Sequence, residues 1–117
     1  MTINEAIAGA QALTGQVVST AMQVRWLSEL DGRMALELGL ADSWTPYDAA
    51  NDGGKTLLAP HPWDGLYVHH LEAMTYYSAG EYDRCANART MAARAERDWR
   101  AFLRRRGEAP YRLERTT

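Results

Sequence analysis

The stretch EYDRCANARTMAARAERDWRAFLRRR, residues 81–106, decides the fold. Cys85, Ala88, Ala92, Ala95, Trp99 and Phe102 recur in it at steps of 3, 4, 3, 4 and 3, the seam of a helix that packs along a neighbour. No proline or glycine interrupts the run, and Gly107 ends it. A helix of that length extends about 39 Å. The alanines in the middle of the seam let another helix come close. Arg84, Arg89, Arg94, Arg97, Arg100, Arg104, Arg105 and Arg106 take the remaining sides.

Working back from this helix, Gly80 separates it from a third helical stripe, Trp63, Tyr67, His70, Leu71, Met74 and Tyr77. Pro62 and Asp64 suit the first turn of that helix, through a missing N–H and a favourable negative charge. The two form a helical hairpin around Gly80. At the other end, Thr2-Ile3-Asn4-Glu5 is a capping box, followed by the stripe Ile3, Ile7, Ala10 and Leu13 up to Gly15. Thr20, with Gln23 three residues on, predicts the next cap. Met22, Trp26, Leu27, Leu30, Met34 and Leu38 follow at helical spacing before Gly39. Glu29–Arg33 and Arg33–Glu37 are i,i+4 pairs on the polar side of this second helix. Gly32 lies in its middle, where it costs about 1 kcal/mol relative to alanine, and marks close approach by another backbone. The chain therefore reads as all-α: a small bundle of about four helices over residues 3–14, 20–39, 63–79 and 81–106. Residues 1–106 form the domain and 107–117 a flexible tail.

Residues 41–62 are rich in Asp, Gly, Pro and Asn, and a connection of this length is long for a small domain. Lys55 to Ala59 fits half of a short hairpin. Trp44 and Tyr47 are large aromatics for such a segment, and two readings stand. They pin the loop to the body, or they anchor a partner, as Trp and Tyr do at interfaces.

The 117 residues carry a formal net charge of −2, which conceals a division. Residues 1–83 hold 3 basic and 11 acidic side chains, −8; residues 84–117 hold 10 basic and 4 acidic ones, +6. An acidic body is joined to an arginine-rich end. No apolar run is long enough to span a membrane, and no secretory signal pattern opens the sequence. Cys85 is the single cysteine, so an internal disulfide and a thiolate zinc site are both excluded.

Catalytic or metal chemistry finds little footing. His69 and His70 point about 100° apart on a helix and lack the spacing of a chelate, so no metal site is expected. His70 falls on the apolar stripe, as a hydrogen-bonded core or interface residue. Cys85 reads as a small hydrophobe in the alanine seam. Gly53-Gly54 lacks the setting of a phosphate-cradling loop. With no nucleophile, acid–base pair or cofactor site assembled, the expectation is that the chain is not an enzyme and carries no cofactor. The arginine-rich helix supports three readings: a protein interface, a phosphate-binding surface, or a solvated face. The first is favoured, because a sequence pI of about 5.9 suits dedicated nucleic-acid binding poorly.

Two stretches carry a resemblance. One is Ile3-Asn4-Glu5-Ala6-Ile7 followed by Val24-Arg25-Trp26-Leu27-Ser28-Glu29-Leu30-Asp31-Gly32-Arg33. The other is Thr56-Leu57-Leu58-Ala59-Pro60, Leu66-Tyr67-Val68, Leu71-Glu72-Ala73 and Gly80-Glu81-Tyr82. Together they resemble the small helical head–tail connector, or adaptor, proteins of tailed bacteriophages and prophages, over roughly residues 3–102. The last helix departs from that pattern, with Ala and Arg where Asn and aromatic residues are expected. The resemblance implies a virion structural protein made in the host bacterial cytoplasm and placed at the head–tail interface. There it would form a ring, commonly a dodecamer, between the portal protein and the next neck, stopper or tail component. DNA passes through the bore without being specifically bound. On this reading Arg94, Arg97, Arg100, Arg104, Arg105 and Arg106 contact a neighbouring subunit or the portal, and Trp44 and Tyr47 form a second contact. The alternative is a small helical nucleic-acid-binding or regulatory module that uses the same arginines.

Overall fold

The computed structural model describes residues 1–107, and these contain four helices and no strand. They are α1 (Ile3–Thr14), α2 (Thr20–Glu37), α3 (Gly65–Ser78) and α4 (Tyr82–Arg106). The all-α bundle is as expected. The tail expected beyond Gly107 lies outside the described residues.

The capping box at the start of α1 is complete: Thr2 Oγ1 accepts from the Glu5 N–H at 3.2 Å, and Glu5 accepts from the Thr2 N–H at 2.8 Å. At α2 the cap is Ser19, one residue before the expected Thr20; its hydroxyl accepts from the Met22 N–H. Gln23 does not close a box there. It is buried and donates to the Val18 carbonyl. The α3 helix begins at Gly65, later than expected, because residues 60–66 close tighter i+3 turns first, with Trp63 N–H to Pro60 and Leu66 N–H to Trp63. Gly80 adopts φ 77° between α3 and α4, and Glu81 N–H returns to the Tyr76 carbonyl to seal the hairpin.

Helix α3 is the centre of the bundle and packs against each of the other three helices. The main core joins Ile3, Ile7, Leu27, Leu30, Met34, Leu38, Tyr67, Leu71, Trp99 and Leu103. A smaller cluster, Ala73, Tyr76, Cys85 and Ala88, closes the α3–α4 hairpin, so the small side chains of the α4 seam serve the close packing expected of them. Trp63 and Phe102 stack at 4.4 Å between ring centres at the far end of that hairpin. Three stripe positions differ from expectation. Leu13, Met22 and Tyr77 are exposed, whereas Leu66 and Tyr76 are buried in α3. Tyr67 and Leu71 of the expected α3 stripe are buried, and the burial of Leu66, Ala73, Thr75 and Tyr76 carries it further around the helix, as suits the element that packs on the other three.

The loop contains no hairpin of its own. Its extended piece pairs with the chain's beginning: Thr2 and Thr56 form one antiparallel bridge, and Leu57 N–H donates to the Met1 carbonyl, Ile3 N–H to Lys55 and Asn4 N–H to Gly53. A Cβ at Gly53 would lie 2.6 Å from the Asn4 side-chain oxygen, so the glycine leaves room for the Asn4 amide.

Candidate functional site

Two polar assemblies fix the surfaces on which a partner can act. The first is built on Asp31 of α2, whose side chain is fully buried. Its Oδ1 accepts from the Tyr67 hydroxyl at 2.5 Å; its Oδ2 accepts from the Tyr47 hydroxyl at 2.6 Å and the Leu58 N–H at 3.0 Å. Tyr67 in turn accepts from the Ala59 N–H at 2.6 Å. One turn earlier on α2, Ser28 Oγ accepts from the Trp44 indole N–H and the Tyr47 backbone N–H. The long loop is therefore held at Trp44, Tyr47, Leu58 and Ala59.

Burial pushes the Asp31 carboxyl above the ordinary carboxylate range, against the lowering effect of its three donors. Burial, and then the Asp31 charge, push both tyrosines well above the ordinary phenol value, so they remain protonated donors. This assembly realises the pinning reading of Trp44 and Tyr47. Trp44 also explains Gly32: a Cβ there would lie 2.6 Å from the indole Cδ1. The close neighbour is an aromatic side chain and not the backbone expected from sequence.

The second assembly is a ring of alternating charge between α2 and α4. Arg33 bonds Glu96 through both terminal nitrogens, at 3.0 and 3.2 Å, and Glu37 at 3.3 Å. Arg100 closes the ring with 2.9 Å to Glu96 and 2.7 Å to Glu37. Of the two helix pairs expected on α2, Arg33–Glu37 forms, whereas Glu29 pairs with Arg25 instead of Arg33. The Arg100 hydrogen bond holds the Glu37 carboxyl below its usual range, and the Glu96 hydrogen bond holds the Arg33 guanidinium up. Burial acts to raise Glu96, but its two arginines outweigh it and the net direction is down.

The signs give a pH dependence. Depressed carboxyls stabilise the fold above their unfolded pKa of about 4.3, and that contribution is lost as pH falls through the folded value. Asp31 has the opposite sign: its contribution favours the fold at low pH and is lost as pH rises through its raised folded value. Comparing wild type with Glu96→Gln cancels the Asp31 contribution. The wild type is expected to be more stable by about 1 kcal/mol at pH 7, since these groups are partly solvated, with a smaller difference at pH 3. Urea melts at the two pH values check this, and a difference that persists undiminished at pH 3 contradicts it.

The arginines expected at an interface divide accordingly. Arg100 is turned inward into the ring. Arg94 and Arg105 are exposed on α4, and Arg97 is exposed with its neighbour Asp98 at 3.7 Å. Arg106 lies 5.3 Å from the Phe102 ring centre, and Arg104 flanks a shallow surface with Arg97 and Glu96. Arg84 pairs with Glu81. Arg94, Arg97 and Arg105 thus form the outward basic face of α4.

Sequence reasoning missed Asp31, Ser28 and Glu96 as organising residues. The signal for Asp31 was its place directly after the core residue Leu30, on a helix already rich in apolar positions. His70, expected in or beside the core, is half-buried; burial holds its imidazole toward the neutral form, against the raising effect of the Trp26 backbone. His69 faces Glu72 at 3.0 Å. Cys85 is buried in the smaller cluster, as a small hydrophobe would be. No protein-family model, curated protein or solved structure matches the chain.

Proposed function

We propose that this chain is a non-enzymatic structural adaptor of a tailed-phage virion. It would form a ring between the portal and the next neck or tail component, with DNA passing through the bore. The sequence resemblance points to this role. The observation that carries it is the separation of charge over a braced frame. The outward face of α4 presents Arg94, Arg97 and Arg105, while the loop pinned across the bundle exposes Asp42 and Asp48 and holds a single basic side chain, Lys55. Two different, oppositely charged patches on one subunit suit head-to-tail contacts, which close into rings when the rotation allows. Trp44 and Tyr47 contribute by holding the loop's shape. The Arg33–Glu96–Arg100–Glu37 ring contributes by fixing α4 relative to α2.

Arg94→Glu combined with Arg97→Glu tests the reading without disturbing Arg100. The variant is expected to keep its helical content and to fail to complete portal-bearing heads. Infectious particles at wild-type yield would sink the proposal, as would a source genome with no portal gene. The basic face also suits a phosphate backbone, and a salt titration with random duplex separates the readings. Submicromolar binding that falls steeply with salt favours the nucleic-acid module.

A further inference from the structure

Helix α2 and the pinned loop leave an open groove of about 580 Å³ between them. Val24, Gly32 and Leu36 form its α2 side, and Trp44, Pro46 and Ala49 face them from the loop. The α2 rim alternates in charge: Arg33, Glu29 and Arg25 follow one another from the Leu36 end toward Ala21. From Leu36 to Ala21 the helix extends about 22 Å. Arg33 also belongs to the shallow surface that Arg97, Arg100 and Arg104 line. The last turn of α4 therefore lies beside the Leu36 end of the groove, and Gly107, at φ 70°, turns the chain off the helix there.

The ten residues after Gly107 read EAPYRLERTT, 108–117. Extended, ten residues reach about 33 Å, enough to enter at Leu36 and run the length of the groove. Pro110 disfavours a helical residue before it and so suits an extended segment. Tyr111 and Leu113 stand two apart, so an extended segment turns both to one side, toward a groove walled by Val24, Leu36 and Trp44. Arg112 and Glu114 turn to the other side, at the rim. Two extended residues advance about 6.6 Å and four helical residues about 6 Å, so the two spacings keep step. Running from the α4 end, Arg112 then meets Glu29, Glu114 meets Arg25 and Thr116 meets Ala21, with opposite charges at both charged positions. We propose that residues 108–117 dock along the groove of their own chain, antiparallel to α2, with Tyr111 against Trp44 and Leu113 against Val24. This goes beyond the adaptor reading and does not rest on it: the segment covers a surface that any partner of the groove must compete for.

The test places one cysteine in the groove and one in the docked segment of the full chain, Ala21→Cys with Thr116→Cys. Ala21 is exposed at the far end of the groove, and the native Cys85 is buried away from it. Under mild oxidation of a dilute sample, the expected product is a disulfide within one chain, read on a non-reducing gel as a monomer of raised mobility. Adding Tyr111→Ala and Leu113→Ala removes the apolar anchors. Closure is then expected to slow roughly tenfold, because a tethered but undocked segment meets Ala21→Cys at a lower effective concentration. Circular dichroism checks that both proteins stay helical. Equal closure rates with and without the anchors overturn the proposal, since a segment that merely diffuses past the groove crosslinks without them. Failure of the within-chain disulfide to form overturns it as well. Disulfide-linked dimers in its place would assign the groove to the same segment of a second copy and overturn docking within one chain.

Discussion

Asp31→Ala is expected to cost about 3 kcal/mol of stability, a large share of the roughly 5–15 kcal/mol that holds a domain of this size together. The carboxylate accepts from Tyr67, Tyr47 and the Leu58 N–H, and alanine leaves all three without that acceptor. Removing a buried charge returns part of the loss, since burial disfavours the ionised carboxyl. Smaller changes in the same network should rank below it. Tyr67→Phe removes one donor to Asp31 and the acceptor of the buried Ala59 N–H, and is expected to cost about 2 kcal/mol. Tyr47→Phe removes one donor at a half-buried site and is expected to cost about 1 kcal/mol. Urea midpoints give the ranking, and limited proteolysis within residues 41–54 reports release of the loop. Equal midpoints for Asp31→Ala and Tyr47→Phe contradict the assigned network.

Gly32→Ala is expected to reverse the usual sign of a helix-interior glycine substitution. In an open helix the change stabilises by about 1 kcal/mol. Here the added Cβ would stand 2.6 Å from the Trp44 ring, and the indole must leave both its seat and its hydrogen bond to Ser28. A net loss of about 2 kcal/mol is expected. The same substitution made on a Trp44→Ala background meets no ring and is expected to stabilise by about 1 kcal/mol. Thermal or urea melts of the four proteins complete the cycle. Gly32→Ala that stabilises both backgrounds alike removes Trp44 as the reason for the glycine.

The residues that were legible in the sequence act on their near neighbours. The capping box at Thr2 and Glu5 spans a single turn, and the α4 seam repeats over about five turns, so both declare themselves in spacing. The boundaries that moved, from Thr20 to Ser19 at α2 and from Trp63 to Gly65 at α3, lie where adjacent residues are equally competent to cap or turn. Asp31 escaped notice because its partners lie 16, 27 and 36 residues away and appear only when the loop folds over α2. The salt-bridge ring escaped for the same reason: Arg33 and Glu96 are 63 residues apart. Arg100 looked equivalent to Arg94 and Arg97 in a list of arginines; helical phase relative to α2 separates them. Gly32 gave a correct signal of crowding with the wrong neighbour, since a missing Cβ records that space is taken and not by what.

This long-range order changes how the charge division is understood. Part of the arginine excess is used within the chain to fix α4 on α2, and part faces outward. The two assemblies together turn a loop rich in Asp, Gly and Pro into a shaped, acidic surface, and a long helix into a braced, basic one. Those are the properties a subunit needs if it is to meet its neighbours at a fixed angle.

The proposed adaptor role is tested most directly by native mass spectrometry of the full chain mixed with a portal ring from its source genome, should that genome encode one. A single complex carrying a fixed whole number of copies of this chain per portal ring is expected, lost when Arg94 and Arg97 are both changed to Glu. An unaltered portal mass at saturating chain, or variable loading that survives the double substitution, would contradict it.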